Sequence, residues 1–600
     1  MVLIRRLTKF LINRTTSIQS KKKESSTENG NLEEFDGDTP SFRRAIIEAC
    51  GHNPDDFEGD ELPEDIQYMI NVITSLPIDD ALKILERAVE EHHDDANFSS
   101  DLLKKIELLL DRDQYLRTGH NEFEWFEQCK IDAALIHYHS PYPEVTVTSP
   151  IDDESIPVET FRAYFFGFFW TILGAGVNEF FSHRKPLISL TAPVMQILLY
   201  PCGKFFERVL PNRVFKLGKV SVNFNPGPWS YKEQMFATII FNVSTNYTYV
   251  AHNIYVQKLK VFYGNDWLDF GYEVLLMLCS QLLGFGYADI LRKFVIYNEK
   301  CLWPTLFPTM ALNGALLRPD NKENTNGWRM TSITMGVLTE IIIGYALPGN
   351  GLALKTIKSL GYTIDNQAES YIADQKLAHY AKIPQRAVFK GQLVGVLIQC
   401  FVALGVINWQ IVNVKNICTS KAEIKFTCPK EVNFYSSSVF WGVIGPKRVF
   451  NGLYPILKYT FLIGFLLNIL CCAIKYFFPK QTRNFHPTIL MGGLQQFAPY
   501  NLSYVTGGLY ISFAFMFYIK RYYTKWWEKY NYVLSAAFSS AIASSAIVIF
   551  FAVNYKPKHI NWWGNNIIDT GVDGGEGRQT LKNVTSLQGG YFGPRVGSYP

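Results

Sequence analysis

Two patterns of apolar and polar positions divide the chain near residue 160. Before it, apolar residues recur at three- and four-residue spacing in PEDIQYMINVITSL, in IDDALKILERAVEEHH and again over 102–111. That period predicts short amphipathic helices packed into a small cytosolic unit from about Pro40 to Trp125. Beyond it, apolar residues run in long blocks, and a helix needs about 20 of them to cross the hydrocarbon core. Blocks over 161–181, 188–210, 231–250, 270–292, 295–317, 333–347, 393–409, 455–478, 502–519 and 533–553 predict about ten spans, give or take two. Two shorter pieces, 437–445 and 487–499, are bounded by Gly or Pro and predict re-entrant or broken helices.

The clearest block lies in 374–410. A basic lead-in with Lys376, His379, Lys382 and Arg386 precedes an apolar run that ends on Trp409. By the positive-inside rule and the interfacial aromatic belt, the basic end faces the cytosol. The third block is unusually polar, with Asn242, Ser244, Thr245, Asn246 and Thr248, so one side of it should face a polar interior.

Composition agrees with a polytopic all-α membrane protein: 48% hydrophobic, 15% aromatic and 19% charged residues, against about 25% charged in a soluble average. A net charge of +4 is too small to argue for a nucleic-acid partner, and no basic-aromatic cluster supports one, so none is expected. The expected regions are a polar tail over 1–39, a helical cytosolic region over 40–139, membrane regions over 140–330 and 331–555, and a tail over 556–600. Residues 1–23 are basic and free of acids, which fits either a mitochondrial-type presequence or a tail lying on anionic lipid.

No catalytic triad, phosphate loop or metal-ligand spacing stands out, so neither an enzyme, a cofactor nor a metal is expected. His92 and His93 beside Asp94 and Asp95 read as an exposed helix end. Cys279, Cys400, Cys471 and Cys472 sit in apolar runs as small hydrophobes. Cys418 and Cys428 share a polar loop on the non-cytosolic side, where an oxidising compartment predicts a disulfide. Glu340 is flanked by apolar residues on both sides, and an intramembrane carboxyl is by default a functional hypothesis, here proton carriage.

Several motifs in order resemble the oligopeptide transporter family, in its fungal peptide branch. They are Ser140-Pro-Tyr-Pro-Glu-Val145, Pro157-Val-Glu-Thr-Phe-Arg-Ala-Tyr164, Asn225-Pro226-Gly227-Pro228 followed by Lys232-Glu233, and Gly344-Tyr-Ala-Leu-Pro-Gly349. Lys382-Ile383-Pro384-Gln385-Arg386, Gly445-Pro-Lys-Arg448, Trp527-Glu-Lys-Tyr-Asn-Tyr-Val533 and Trp562-Trp-Gly-Asn565 complete the set. The resemblance implies a proton-coupled transporter of tetra- or pentapeptides or glutathione-sized substrates, in the plasma membrane or else in Golgi, vacuolar or other endomembranes. It assigns no oligomeric state. It places Asn178, Gln281 and Gly284 on the substrate pathway, where amides bond a peptide backbone without selecting side chains. Lys382 and Arg386 read as topology anchors or as a gate.

Two departures stand out. Gln385 replaces a second proline of the basic motif. Across 329–335 the likeness jumps from the loop after the fifth family span to a much later one, so about six spans of ~20 residues each are missing. The chain is therefore expected either to transport weakly or to be a non-transporting remnant or a faulty gene model.

Overall fold

The computed structural model describes residues 40–49, 64–92, 100–139, 152–184, 188–297, 303–317, 335–555 and 562–563. Within these, 218–219, 246–247, 420–421, 423–425, 454, 520–521 and most of 479–501 are excepted. The motif at 140–145, the junction at 329–333 and Asn246 fall outside the described residues.

Among the described residues, the N-terminal unit holds six α-helices: α1 (Pro40–Ala49), α2 (Glu64–Ser75), α3 (Ile78–His92), α4 (Ser100–Leu110), α5 (Arg112–Arg117) and α6 (Glu122–Ala134). Their apolar stripes meet around Phe42, Ile46, Ile73, Leu85, Ile106, Leu109 and Trp125. Asn121 caps α6, accepting from the Glu124 amide while the Glu124 side chain accepts from the Asn121 amide. Burial pushes the Cys129 thiol up to about 12, so it serves as an inert core group. One expectation needs correcting: His92 ends its helix but is buried, because the last turn of α3 folds its apolar stripe inward.

The second unit begins with α7 (Phe161–Ser182) and α8 (Ala192–Val209). A hairpin of β1 (Val214–Leu217) and β2 (Val220–Asn223) follows, a small departure from an all-α chain, in antiparallel register with Phe215 opposite Val222. Then come α9 (Tyr231–Thr245), α10 (Tyr249–Lys258), α11 (Phe270–Val295), α12 (Phe307–Leu317), α13 (Met335–Ala346), α14 (Gly351–Tyr380) and α15 (Gln385–Asn413). The chain continues through α16 (Pro429–Ser438), α17 (Leu457–Phe477), α18 (Leu502–Phe513) and α19 (Thr524–Ile549).

Four described helices are long and apolar enough to cross a membrane, namely 270–295, 385–413, 457–477 and 530–553. That is fewer than the ten blocks of the sequence, and one physical reason is visible in the third block. The third block is not one helix: an extended Thr248 separates the helix over Tyr231–Thr245 from that over Tyr249–Lys258, and almost every side chain of both pieces is buried. A helix buried all round belongs at the centre of a bundle, and α9 is wrapped by α7, α8 and α15. Conversely, α14 lies outside all ten blocks although it is 30 residues long and so about 45 Å in length. Its buried side includes Lys355, Ser359, Thr363, Gln367, Asp374, Gln375 and Lys376, and that polarity conceals it from a hydropathy scan.

The helices α11 and α14 pack closely at Gly284, where a Cβ would lie 2.6 Å from Gln367 Cβ and 3.0 Å from Ile364 O. The expected broken helix over 437–445 is present as a widened turn that ends at Gly445, whose φ of +81° only glycine adopts freely. Pro446 then starts a new direction. In contrast, α17 buries none of its residues.

Candidate functional site

The sequence motifs converge first on a buried ion pair. Thr160 caps α7 through the Ala163 amide, which sets Arg162 on the first turn, pointing inward. Glu233 stands on the first turn of α9, and both side chains are fully buried. Arg162 Nη2 donates to both Glu233 oxygens at 2.9 Å, and its Nη1 donates to Asn225 Oδ1 and Gly227 O at 2.9 Å. Thr160 Oγ1 and the Ser230 amide add 2.6 and 3.1 Å bonds to the carboxylate. Asn225 in turn donates to Glu207 O and Leu210 O at the end of α8. Bidentate geometry and saturated acceptors are the conditions under which a buried ion pair is tolerated. Motifs separated by about 70 positions are thus one structural knot that fixes the entry of α9.

Inside the bundle, α14 supplies a row of polar contacts. Asp374 accepts from Asn242 Nδ2 at 2.8 Å and from Gln392 Nε2, with no ion pair among the described residues. Near the other end of α14, Glu340 of α13 pairs with Lys355 and with Lys358, the latter at 2.7 Å, and Ser437 Oγ donates to it at 3.1 Å. Lys355 also donates to Ser437 at 2.7 Å and lies over the Phe434 ring. Glu340 is therefore not the isolated carboxyl that its apolar surroundings in sequence imply. Both of its lysines come from α14. Glu273 shares Lys258 and Asn408 at 2.6 and 2.7 Å, which joins α10, α11 and α15.

This arrangement, a discontinuous central helix beside a polar one, is how membrane carriers build a binding site near the bilayer midplane. The model of the OPT oligopeptide transporter protein family matches residues 158–333 and 325–553. The chain belongs to the OPT oligopeptide transporter family. It is 30% identical to oligopeptide transporter 2 of Saccharomyces cerevisiae, over 90% of this chain and 93% of that protein. Sexual differentiation process protein isp4 of Schizosaccharomyces pombe is 23% identical over 84% of this chain and 95% of its own length. Glutathione transporter 1 of the same species is 21% identical over 71% and 82%. No solved structure matches the chain. As an OPT member it is an integral membrane transport protein rather than an enzyme.

The OPT match comes in two pieces that meet at 325–333, where the sequence motifs jump. The alignment to the Saccharomyces protein runs over 820 positions, more than the 600 residues available, so long gaps lie opposite this chain.

The three positions that the resemblance assigns to a substrate pathway have different surroundings. Asn178 is fully engaged: its amide donates to Ser244 O at 3.0 Å and Leu190 O at 3.3 Å, and its oxygen accepts from the Leu190 amide at 2.7 Å. It ties α7 to the end of α9 and the lead-in to α8. Gln281 is buried with an Oε1 that no described group satisfies. Gly284 is a packing contact against α14. The basic motif forms the turn between α14 and α15: Lys382 takes a left-handed φ of +55° and the Ile383 amide bonds Ala378 O at 2.8 Å. Pro384 caps α15, and Gln385 accepts from Arg292 and Tyr297 at 2.5 and 2.6 Å. Arg386 is exposed beside it. Cys418 and Cys428 form a disulfide.

Sequence reasoning passed over Arg162, Asp374, Lys355 and Lys358. The signal available was charge at helical spacing within an otherwise helix-forming segment, the i and i+3 pair Lys355 and Lys358 above all.

Proposed function

We propose that the protein moves short peptides of the glutathione to pentapeptide class across a membrane by alternating access, coupled to protons. The observation that carries this reading is the interrupted α9–α10 helix packed against the buried polar face of α14. An interrupted helix frees backbone amides and carbonyls for a ligand, and the neighbouring amide of Gln281 offers an acceptor to a peptide N–H. The relatives named as oligopeptide and glutathione transporters support the substrate class.

Glu340 and Asp374 are the proton-coupling residues in this reading. Glu340 exchanges a proton against its lysine pairs, whereas Asp374 is held only by amides, which bond the neutral and the charged carboxyl alike. Asn178 serves to position α9, and Lys382 with Arg386 to anchor the cytosolic turn.

A second reading has its own support. The two-piece family match and the bare surface of α17 fit a bundle from which neighbouring helices are missing, hence a form that inserts without transporting. Uptake of a labelled tetrapeptide at inward proton gradients, in cells without endogenous peptide carriers, separates the two. Accumulation that collapses with the gradient supports the transporter. No uptake by this 600-residue form, restored by inserting the spans that the longer relatives carry, supports the remnant.

A further inference from the structure

On the disulfide side of the bundle three buried residues from three elements converge, and transport chemistry uses none of them. His183 caps the C-terminus of α7, His252 lies within α10, and Glu431 lies in the first turn of α16. One ligand atom of each lies within 4.8 Å of the other two. The backbone holds them in place: the Cys428 amide donates to His183 O at 3.0 Å, one turn before Glu431, and Cys428 is bonded to Cys418.

The hydrogen bonds fix the His183 tautomer. Ser182 Oγ spends its only proton on Glu179 O at 2.8 Å, so toward His183 Nδ1, 3.1 Å away, it can only accept. Neutral His183 therefore carries its proton on Nδ1 and keeps a lone pair on Nε2. Nε2 lies 3.3 Å from Glu431 Oε1. A lone pair this close to a carboxylate oxygen in a buried site repels it unless a cation lies between or beside them. Neither His183 Nε2 nor Glu431 Oε2 has a hydrogen-bond partner among the described residues. Tyr255 stacks on the imidazole with ring centroids 4.0 Å apart, closing that face. His252 Nδ1 contacts the same Glu431 oxygen, and Glu179 Oε1 stands 3.9 Å from His183 Nε2.

We propose that His183, His252 and Glu431 bind one divalent transition-metal ion of the zinc class, with Glu179 alongside as a second carboxylate. Two neutral imidazoles and two carboxylates around a divalent ion leave no net charge in a water-poor site. The donor set selects the metal. Imidazole nitrogen suits zinc-class ions, whereas magnesium and calcium require shells of oxygen. The Nδ1–H of His183 bonded to an acceptor is the outer-shell support that such ligands usually have. A bound ion would pin α7, α10 and α16 to one another on the side where the disulfide closes its loop.

The test uses the full chain in detergent micelles, stripped with a chelator and titrated with Zn²⁺ alone, then with Co²⁺. The expected result is one tight equivalent, visible absorption bands of four-coordinate cobalt, and an X-ray absorption spectrum with imidazole nitrogen and carboxylate oxygen neighbours. Glu431→Gln and His183→Gln should each weaken binding by at least about 100-fold, the upper end of what losing an outer-shell partner costs. His379→Gln, at an exposed position, should leave it unchanged. No bound equivalent, which would leave an imidazolium proton as the bridging cation, overturns the proposal. So do sulfur neighbours in the spectrum, which would mean capture by free cysteines, and unaltered affinity in Glu431→Gln. The spectrum is read on the unaltered chain and decides the matter even if both variants misfold.

Discussion

Removing the charge of Glu233 tests whether the convergence of motifs at the head of α9 has energetic weight. In Glu233→Gln one oxygen becomes an NH₂ group that faces the Arg162 guanidinium and the Ser230 amide, all of them donors. Arg162, fully buried, keeps its charge and loses its counter-ion. Breaking a buried pair from one side costs about 3–5 kcal/mol. The double variant Arg162→Met with Glu233→Gln removes the stranded charge, although Asn225 Oδ1 and Gly227 O then each lose a donor at about 1–3 kcal/mol. The double should therefore be no worse than the single, and the two substitutions should show a coupling of about 2 kcal/mol or more. The assay is the fraction of monodisperse protein surviving a temperature series in detergent. We expect Glu233→Gln to lower the midpoint by at least about 5 °C, with the double variant at or above it. A single variant indistinguishable from the wild type, or a double that falls by the sum of the two singles, would refute the argument.

Three further outcomes are expected. Glu340→Gln, which keeps shape but cannot change charge, should abolish proton-driven accumulation more than peptide binding, and Asp374→Asn should flatten the pH profile of uptake; an unchanged profile in both sinks the coupling role. Gly284→Ala should destabilise by about 1–3 kcal/mol through overpacking against Gln367, while Gly286→Ala, which meets nothing within 4 Å, should be neutral in the same melt. Mass mapping without reductant should recover Cys418 linked to Cys428, and Cys428→Ser should cost about 2–4 kcal/mol; two free thiols in the wild type contradict the bridge.

Much of this architecture is legible in the sequence because it follows local rules. The helices α2, α3 and α4 match their apolar period to within two residues at each end, and the family motifs name the membrane region. What escapes has a common physical cause. Hydropathy rewards helices that face lipid and penalises those that face one another, so α14, with Lys355, Asp374 and Lys376 turned inward, reads as a gap between spans. No proline or glycine between Thr245 and Tyr249 marks the break in α9–α10. His252 and Glu431 are 179 positions apart, so no spacing rule links them. Glu340 reads as solitary because its lysines belong to the next helix.

The turn at Lys382 has a mechanical consequence. Two helices of 30 and 29 residues meet through four residues, one in the left-handed region and one a proline. Such a joint has almost no slack, so it resists sliding of α14 past α15 and leaves a swing about the turn as the easier motion. Over about 45 Å of helix, a pivot of about 10° at the turn carries the far tip sideways by about 8 Å. The Glu340 contacts of Lys355 and Lys358 sit near that tip, where the leverage is greatest, while Asp374 sits near the pivot and scarcely moves.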